Sequence, residues 1–275
     1  MIPSGRSFFK MTGSGNDFIM IDARHEPAGE LADAAVVRRL CARGTGVGAD
    51  GIVFLEPSAA ATIRLVYLNA DGSRADFCGN ATLCTTRLAS ELGIGKQGSL
   101  TIETDAGVIA ARIAEALPEI DLQPVGEVQP AVETIGTIRG ERRIGFALAG
   151  VPHLTILCDD VSTVDVVGRG RPLRHHESLA HGANVNFVSR AGAGSDGWRM
   201  RTYERGVEGE TLACGSGAVA TAILLTAWNE ANGPVQLETR SGKPLRVRLR
   251  RENATWKPSL SGEGRIVYQG ILAET

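Results

Sequence analysis

Two short stretches of the 275-residue chain place a cysteine directly before glycine and other small residues: Cys78-Gly79-Asn80-Ala81 and Cys214-Gly215-Ser216-Gly217. In each, β-like residues precede the thiol and a helical pattern follows, so each thiol is expected where strand turns into helix. Unpaired backbone N–H groups and the positive end of the helix dipole lie there. Both favour thiolate over thiol and lower a pKa that starts near ~8.5. The small residues that follow let an anionic group approach those N–H donors. Two such turns facing one another would flank a small molecule with two thiols. That arrangement suits removal of a proton from one face of a carbon by a thiolate and its return to the other face by a thiol. An amino-acid α-carbon is the natural target, because its carboxylate can dock on the helix N-termini and absorb developing charge.

Such proton abstraction commonly uses pyridoxal. Here Lys10, Lys96, Lys243 and Lys257 all lie outside the glycine turns, so no Schiff-base lysine and no cofactor are expected. The five cysteines, at 41, 78, 84, 158 and 214, form no C-x-x-C pair and have no H-x3-H partner, which argues against a metal and against dithiol redox chemistry. A structural disulfide between Cys78 and Cys214 is the competing use of the pair; the glycine collars and an expected reducing compartment speak against it. Cys41 and Cys84 fall on or within predicted helices and read as packing residues. The match of residues 46–51 to G-x-G-x-x-G follows a helix and opens a strand, the reverse of the dinucleotide-binding order.

The elements that must carry these turns are mostly short strands: 17–22, 51–56, 62–68, 99–104, 153–158, 184–189, 198–203, 235–239 and 245–249 are alternating or rich in Val, Ile, Leu and Thr. Helices are expected over 30–42, 80–92 and 216–229. The first should bury a face of Leu31, Ala34, Ala35, Arg38 and Cys41. The last, AVATAILLTAW in its core, is apolar nearly all round and should be buried on every side, as a helix enclosed by sheet would be. The thiol turns recur at a shift of 136 residues, Tyr67 and Tyr203 each precede their cysteine by 11, and 102–107 matches 237–242 at a shift of 135. One nearly constant offset is the mark of duplicated units. Breakers at Pro118, Pro124 and Gly126 place the boundary near 117–128.

A net charge of −2 gives no footprint for nucleic acid or anionic membrane, and no apolar run reaches the length of a membrane span. Arg246, Arg248, Arg250 and Arg251 alternate with Val247 and Leu249 and read as the solvent face of a strand. The expected partner is therefore a small amino-acid substrate, and the absence of a signal-like N-terminus points to the cytoplasm.

The ordered motifs resemble those of the diaminopimelate epimerase family, cofactor-independent isomerases that convert LL- to meso-diaminopimelate for lysine and cell-wall synthesis. The resemblance rests on GSGNDF at 13–18, GTGVGADG at 44–51, YLNADGS at 67–73, Cys78-Gly79-Asn80, Pro152-His153, NVNF at 184–187, Tyr203-Glu204-Arg205-Gly206 and ETLACGSG at 210–217. It implies an α/β (α+β type) fold of two pseudo-symmetric domains, each a curved, mainly antiparallel sheet wrapped around a central helix, with the active site in the interdomain cleft. The domains would span 1–124 plus 263–275, carrying Cys78, and 125–262, carrying Cys214. By the same resemblance Cys78 and Cys214 are the acid–base pair and His153 and Glu204 assist. Asn16, Asn69, Asn184, Glu204 and Arg205 hold substrate, and the backbones of Gly79-Asn80 and Gly215-Ser216 receive its carboxylate. A homodimer is implied too.

Read by themselves, Glu204 and Arg205 offer one acceptor and one donor side by side, and asparagines serve both signs. The same residues equally suit turns at Asn16 and Asn69, a solvated ion pair at Glu204-Arg205, and a loop histidine at 153. The chain departs from the family pattern at Val151, where many members have asparagine, at Gly51, where some have glutamine, and at Leu83, where some have arginine. Its loop between Arg205 and Cys214 is one residue longer. Those departures bear on the distal end of the substrate, and Val151 and Gly51 motivate the alternative of a racemase of another amino acid, such as histidine; a non-catalytic ligand-binding member of the same fold is a further alternative, against which both thiols stand.

Overall fold

A computed structural model of the chain describes residues 5–192, 194 and 196–273. They form two compact units, one running to Ile120 and resuming at Ser261, the other spanning Asp121–Leu260.

In the first unit β1 (Ser7–Gly13) and β2 (Asn16–Asp22) form a hairpin with Met11 opposite Phe18. Helix α1 (Ala34–Cys41) carries the chain back so that β3 (Gly51–Glu56) runs parallel to β2, and β4 (Ile63–Asn69) then runs antiparallel to β3. The short β5 (Arg74–Ala75) leads into α2 (Gly79–Glu91). Then β6 (Ser99–Thr104) lies parallel to β4, followed by antiparallel β7 (Gly107–Ala114) and β8 (Leu117–Asp121).

The second unit repeats this order. β9 (Val128–Gln129) pairs with β10 (Glu141–Ala149), which forms a hairpin with β11 (Val151–Cys158). Helix α3 (Val166–Arg174) crosses to β12 (Asn184–Arg190), parallel to β11, and β13 (Trp198–Glu204) is antiparallel to β12. β14 (Gly209–Thr211) leads into α4 (Gly215–Ala227), β15 (Val235–Glu238) lies parallel to β13, and β16 (Pro244–Glu252) and β17 (Thr255–Ser261) follow. The last strand, β18 (Arg265–Ile271), pairs with β1 and so belongs to the first unit.

Each sheet is covered on both faces, which is why its inner strands read as unbroken apolar runs such as FIMI and IVFL. One face of the first unit packs Ile19, Ile21, Ile52, Phe54, Val66 and Leu68 against Val36, Val37 and Leu40 of α1. In the second unit Leu154, Ile156, Val185, Phe187 and Tyr203 pack against Val166 and Leu173 of α3. The opposite faces hold the central helices: α2 packs on β1, β2, β4, β7 and β18, and α4 on β10, β11, β12 and β16. Every residue of α4 from Gly217 to Leu225 is buried, as its all-round apolar sequence requires. Val219, Ile223, Leu224 and Leu225 each contribute about 1.5–3 kcal/mol of burial. In α2 the buried Thr82 and Thr86 hydroxyls donate to the carbonyls of Cys78 and Thr82, both at 2.8 Å, so their polarity is satisfied within the helix.

Three sequence expectations need correction. The helix expected over 30–42 is a 3-10 turn at Gly29–Ala32 and α1, separated by Asp33 in extended conformation. Its buried face is Val36, Val37, Leu40 and Cys41, while Ala34, Ala35 and Arg38 are exposed. No helix is expected where α3 lies, since Gly168, Gly170 and Pro172 all weaken one. It forms because the Asp165 side chain caps the Gly168 N–H at 2.9 Å and Val166 and Leu173 are buried. Finally, Tyr67 and Tyr203 are not equivalent. Register pairs Val53 with Tyr67 but Val185 with Tyr203, and Val185 corresponds to Ile52. Tyr203 therefore sits in the α3 layer, against Gly170, while Tyr67 sits on the face towards α2. The extra residue before Cys214 makes the spacings agree while the faces differ.

Candidate functional site

Each thiol is the N-cap residue of its central helix, in extended conformation: Cys78 at φ −140°, ψ 114° and Cys214 at φ −132°, ψ 110°. The five cysteines are all thiols. Cys78 is half-buried and Cys214 buried. The Cys214 sulfur accepts the Gly217 N–H at 3.4 Å and lies 3.6 Å from Ser216 Oγ. Gly217 has no room for a side chain: a Cβ would overlap Asn186 Oδ1 and lie 3.2 Å from Cys214 Sγ. The glycine collar thus lets the strand below approach the thiol turn.

That strand layer is polar in the second unit. His153 is fully buried; its Nε2 lies 3.0 Å from Ser216 Oγ and its Nδ1 3.2 Å from Asn186 Nδ2. Asn186 also donates to the Leu154 carbonyl at 3.0 Å and accepts from Thr202 Oγ1 at 2.9 Å. Burial, assisted by the Arg205 charge, lowers the His153 pKa to about 3, so the imidazole is neutral at physiological pH.

In the first unit the corresponding strand positions are apolar. Strand pairing matches Phe18, Val53 and Tyr67 to His153, Asn186 and Thr202, and Phe18 and Tyr67 meet edge to face with centroids 5.9 Å apart. Polarity enters instead from the hairpin loop. Asn80 Nδ2 donates to Asn16 Oδ1 at 2.7 Å, and Asn16 Nδ2 donates to Asp50 Oδ2 at 2.9 Å. Asp50 and Asp17 share Arg43 at 2.7 and 2.6 Å, and Lys10 joins Asp17 at 2.7 Å. Burial would raise Asp17, but the hydrogen bonds from Arg43 and Lys10 prevail and hold it at about 2. Because Asp50 offers only acceptors, Asn16 must turn its amide nitrogen to it and its oxygen to Asn80. Asn80 is then left with a buried Oδ1 that has no partner among the described residues.

The remaining residues singled out from sequence are placed as follows. Asn69 Nδ2 donates to Ser73 Oγ at 3.0 Å, so it closes the turn that the residue type alone suggests. Asn184, buried, accepts the Arg205 N–H at 2.8 Å and so fixes the chain at the end of β13. Glu204 accepts from Thr211 Oγ1 at 2.7 Å, and burial raises its pKa, the Thr211 bond opposing. The Arg205 guanidinium donates to the His181 carbonyl at 3.3 Å rather than to Glu204, so the two do not form the solvated ion pair. Val151 is half-buried at the start of β11. At Gly51 a Cβ would meet the Tyr67 ring at 2.5 Å, so the missing side chain there is required by the tyrosine. Lys10 is committed to Asp17 and the Gly48 carbonyl. Cys41 and Cys158 are buried, their thiols pushed up to about 11 and about 12 chiefly by burial, and burial raises Cys84 too. No group of three or more His, Cys, Asp or Glu among the described residues is placed to hold a metal. Among the described residues no helix is long and apolar enough to cross a membrane.

Asn186, Asp50 and Thr211 were not singled out in the sequence. Asn186 carried a signal: it stands two residues after Asn184 and therefore on the same face of β12.

Comparison with known proteins joins these observations. The family model described as diaminopimelate epimerase matches residues 8–125 and 146–265. Diaminopimelate epimerase of Gemmatimonas aurantiaca is 47% identical, over 97% of this chain and 99% of that protein. The Aquifex aeolicus diaminopimelate epimerase is 39% identical over 97% of this chain and 98% of its own. Among solved structures, a Bacillus anthracis phenazine biosynthesis protein of the PhzF family matches with a TM-score of 0.73 at 16% identity, covering 99% of this chain and 100% of that one. A hydroxyproline epimerase from Agrobacterium vitis, solved with trans-4-hydroxy-L-proline, matches at 0.64 and 17% identity, covering 99% and 93%. At those identities the likeness speaks for the fold alone.

Proposed function

The chain belongs to the diaminopimelate epimerase family, and on that premise we propose that it interconverts LL- and meso-diaminopimelate with Cys78 and Cys214 as its acid–base pair and without pyridoxal. The observation that carries the reading is the placing of both thiols at the N-caps of two buried helices in duplicated units. A thiolate at one cap takes the α-proton and the thiol at the other cap returns one, which inverts the centre. The N–H groups of the two helix starts receive the reacting carboxylate and stabilise the charge that spreads onto it. Asn80 Oδ1, buried and unpartnered, is an acceptor for the substrate's ammonium group. Glu204, with its raised pKa, and the neutral His153 assist as hydrogen-bonding groups. Arg205, Asn16, Asn69 and Asn184 complete substrate recognition.

The test is entry of solvent deuterium at the α-carbon of LL-diaminopimelate. Exchange with formation of the meso isomer is expected from the wild type and not from Cys78→Ala or Cys214→Ala. Turnover that survives either substitution overturns the mechanism. Exchange with a different free amino acid but none with diaminopimelate overturns the substrate.

A further inference from the structure

We infer that Asn186 is a positioning residue that locks His153 in its neutral Nε2–H tautomer and thereby aims the Ser216 hydroxyl proton at Cys214. The inference rests on the reading of Cys214 as an acid–base thiol, but its geometry can be tested without substrate.

The chain of assignment starts at a group with no choice. The Leu154 carbonyl can only accept, and Asn186 Nδ2 lies 3.0 Å from it. That end of the amide is therefore the NH2, and the Thr202 hydroxyl, 2.9 Å from Oδ1, fits the other end. The same NH2 faces His153 Nδ1 at 3.2 Å, so Nδ1 must accept and carry no proton. A neutral imidazole then has its proton on Nε2. Nε2–H points at Ser216 Oγ, 3.0 Å away, and fills one of its acceptor positions. The hydroxyl proton is left for the other neighbour, the Cys214 sulfur at 3.6 Å. With the Gly217 N–H at 3.4 Å, Cys214 then faces two donors, and both favour thiolate.

The imidazole does not need to become charged for this. It is fully buried, and the charged side chain that acts on it, Arg205, also opposes protonation. His153 thus passes on an orientation and not a proton. The relay is peculiar to the second unit, where His153 and Asn186 replace the Phe18 and Val53 of the first.

The experiment combines two readouts on wild type, Asn186→Asp and Ser216→Ala. Nitrogen-15 NMR of histidine-labelled protein should show His153 as the neutral Nε2–H tautomer in the wild type. In Asn186→Asp the carboxylate accepts from Nδ1, so the tautomer should reverse. Alkylation of Cys214 by iodoacetamide, followed on its own peptide against pH, should slow about tenfold near neutrality in both variants, from the loss of one hydrogen bond to the thiolate. The double variant should be no slower than either single one. If Asn186→Asp fails to fold, the wild-type tautomer and Ser216→Ala alone decide. A wild-type Nδ1–H tautomer, or unchanged Cys214 alkylation in Ser216→Ala, overturns the inference. Absence of deuterium exchange with the relay intact would instead overturn the catalytic reading.

Discussion

The two thiol turns are built on the same backbone plan and supported by opposite chemistry. Beneath Cys214 the sheet supplies His153, Asn186 and Thr202, a buried and uncharged hydrogen-bonded layer. The matching strand positions in the first unit are Phe18, Val53 and Tyr67, which pack as hydrocarbon. There the orientation of Asn80 is fixed from the side, through Asn16, by the ionic group of Asp50, Asp17, Arg43 and Lys10. Duplication therefore preserved the position of a thiol at a helix start and left its surroundings free to diverge. A neutral buried relay is insensitive to salt but depends on one tautomer. An ionic group that reaches solvent through Arg43 is sensitive to salt and tolerant of geometry.

The sharpest way to break this comparison is to remove each sulfur. On the proposed two-thiol mechanism, Cys78→Ala and Cys214→Ala should each lower epimerisation by about 10^3-fold or more, despite their different settings, because neither proton transfer would have a substitute. A large loss at one and a small loss at the other, in steady-state assays, would mean that the two are not partners.

Acid should separate the units next. The folded pKa of His153, about 3, lies below its unfolded value near ~6.5. The unfolded chain thus takes up the proton first, and stability falls as pH drops from ~6.5 towards 3, by about 4 kcal/mol in all. Asp17, held at about 2, contributes stability present above its unfolded value and lost only as pH falls from ~3.9 towards 2. That smaller contribution is reduced further by solvent screening. Urea titrations of wild type and His153→Gln between those limits should show the variant with the flatter dependence; parallel curves would remove the assignment.

Copying one unit into the other gives a finer test. Gly217→Ala reproduces Ala81 but drives a Cβ into Asn186 Oδ1, and should cost about 1–3 kcal/mol in denaturant unfolding. Adding Asn186→Val, which reproduces Val53, should return part of that loss. Additive effects would show that the glycine does not answer to the asparagine. The smallest effect is expected at the exposed end of the ionic group: Arg43→Gln should cost less than about 1 kcal/mol and nothing measurable in high salt.

Much of this was legible in the residues. The duplicated thiol turns, the buried apolar helix α4 and nine of the strands are local patterns, and the structure places most of their ends within two residues; β1, β7, β8, β10, β17 and β18 were not singled out, although several of them alternate or carry apolar runs. The segment of α3 was not legible, because Gly168, Gly170 and Pro172 argue against a helix that burial and the Asp165 cap impose. Nor was the inequality of Tyr67 and Tyr203, since equal spacing to a cysteine says nothing about which side of a sheet a residue faces.

The sequence by itself determined where a thiol meets a helix start, twice, because turn and helix signals are carried by neighbouring residues. Only the tertiary structure decided what stands beneath each thiol. The face that a strand residue presents is set by register with strands far away in the chain, so His153, Ser216 and Asn186 come together through pairings that no local pattern encodes.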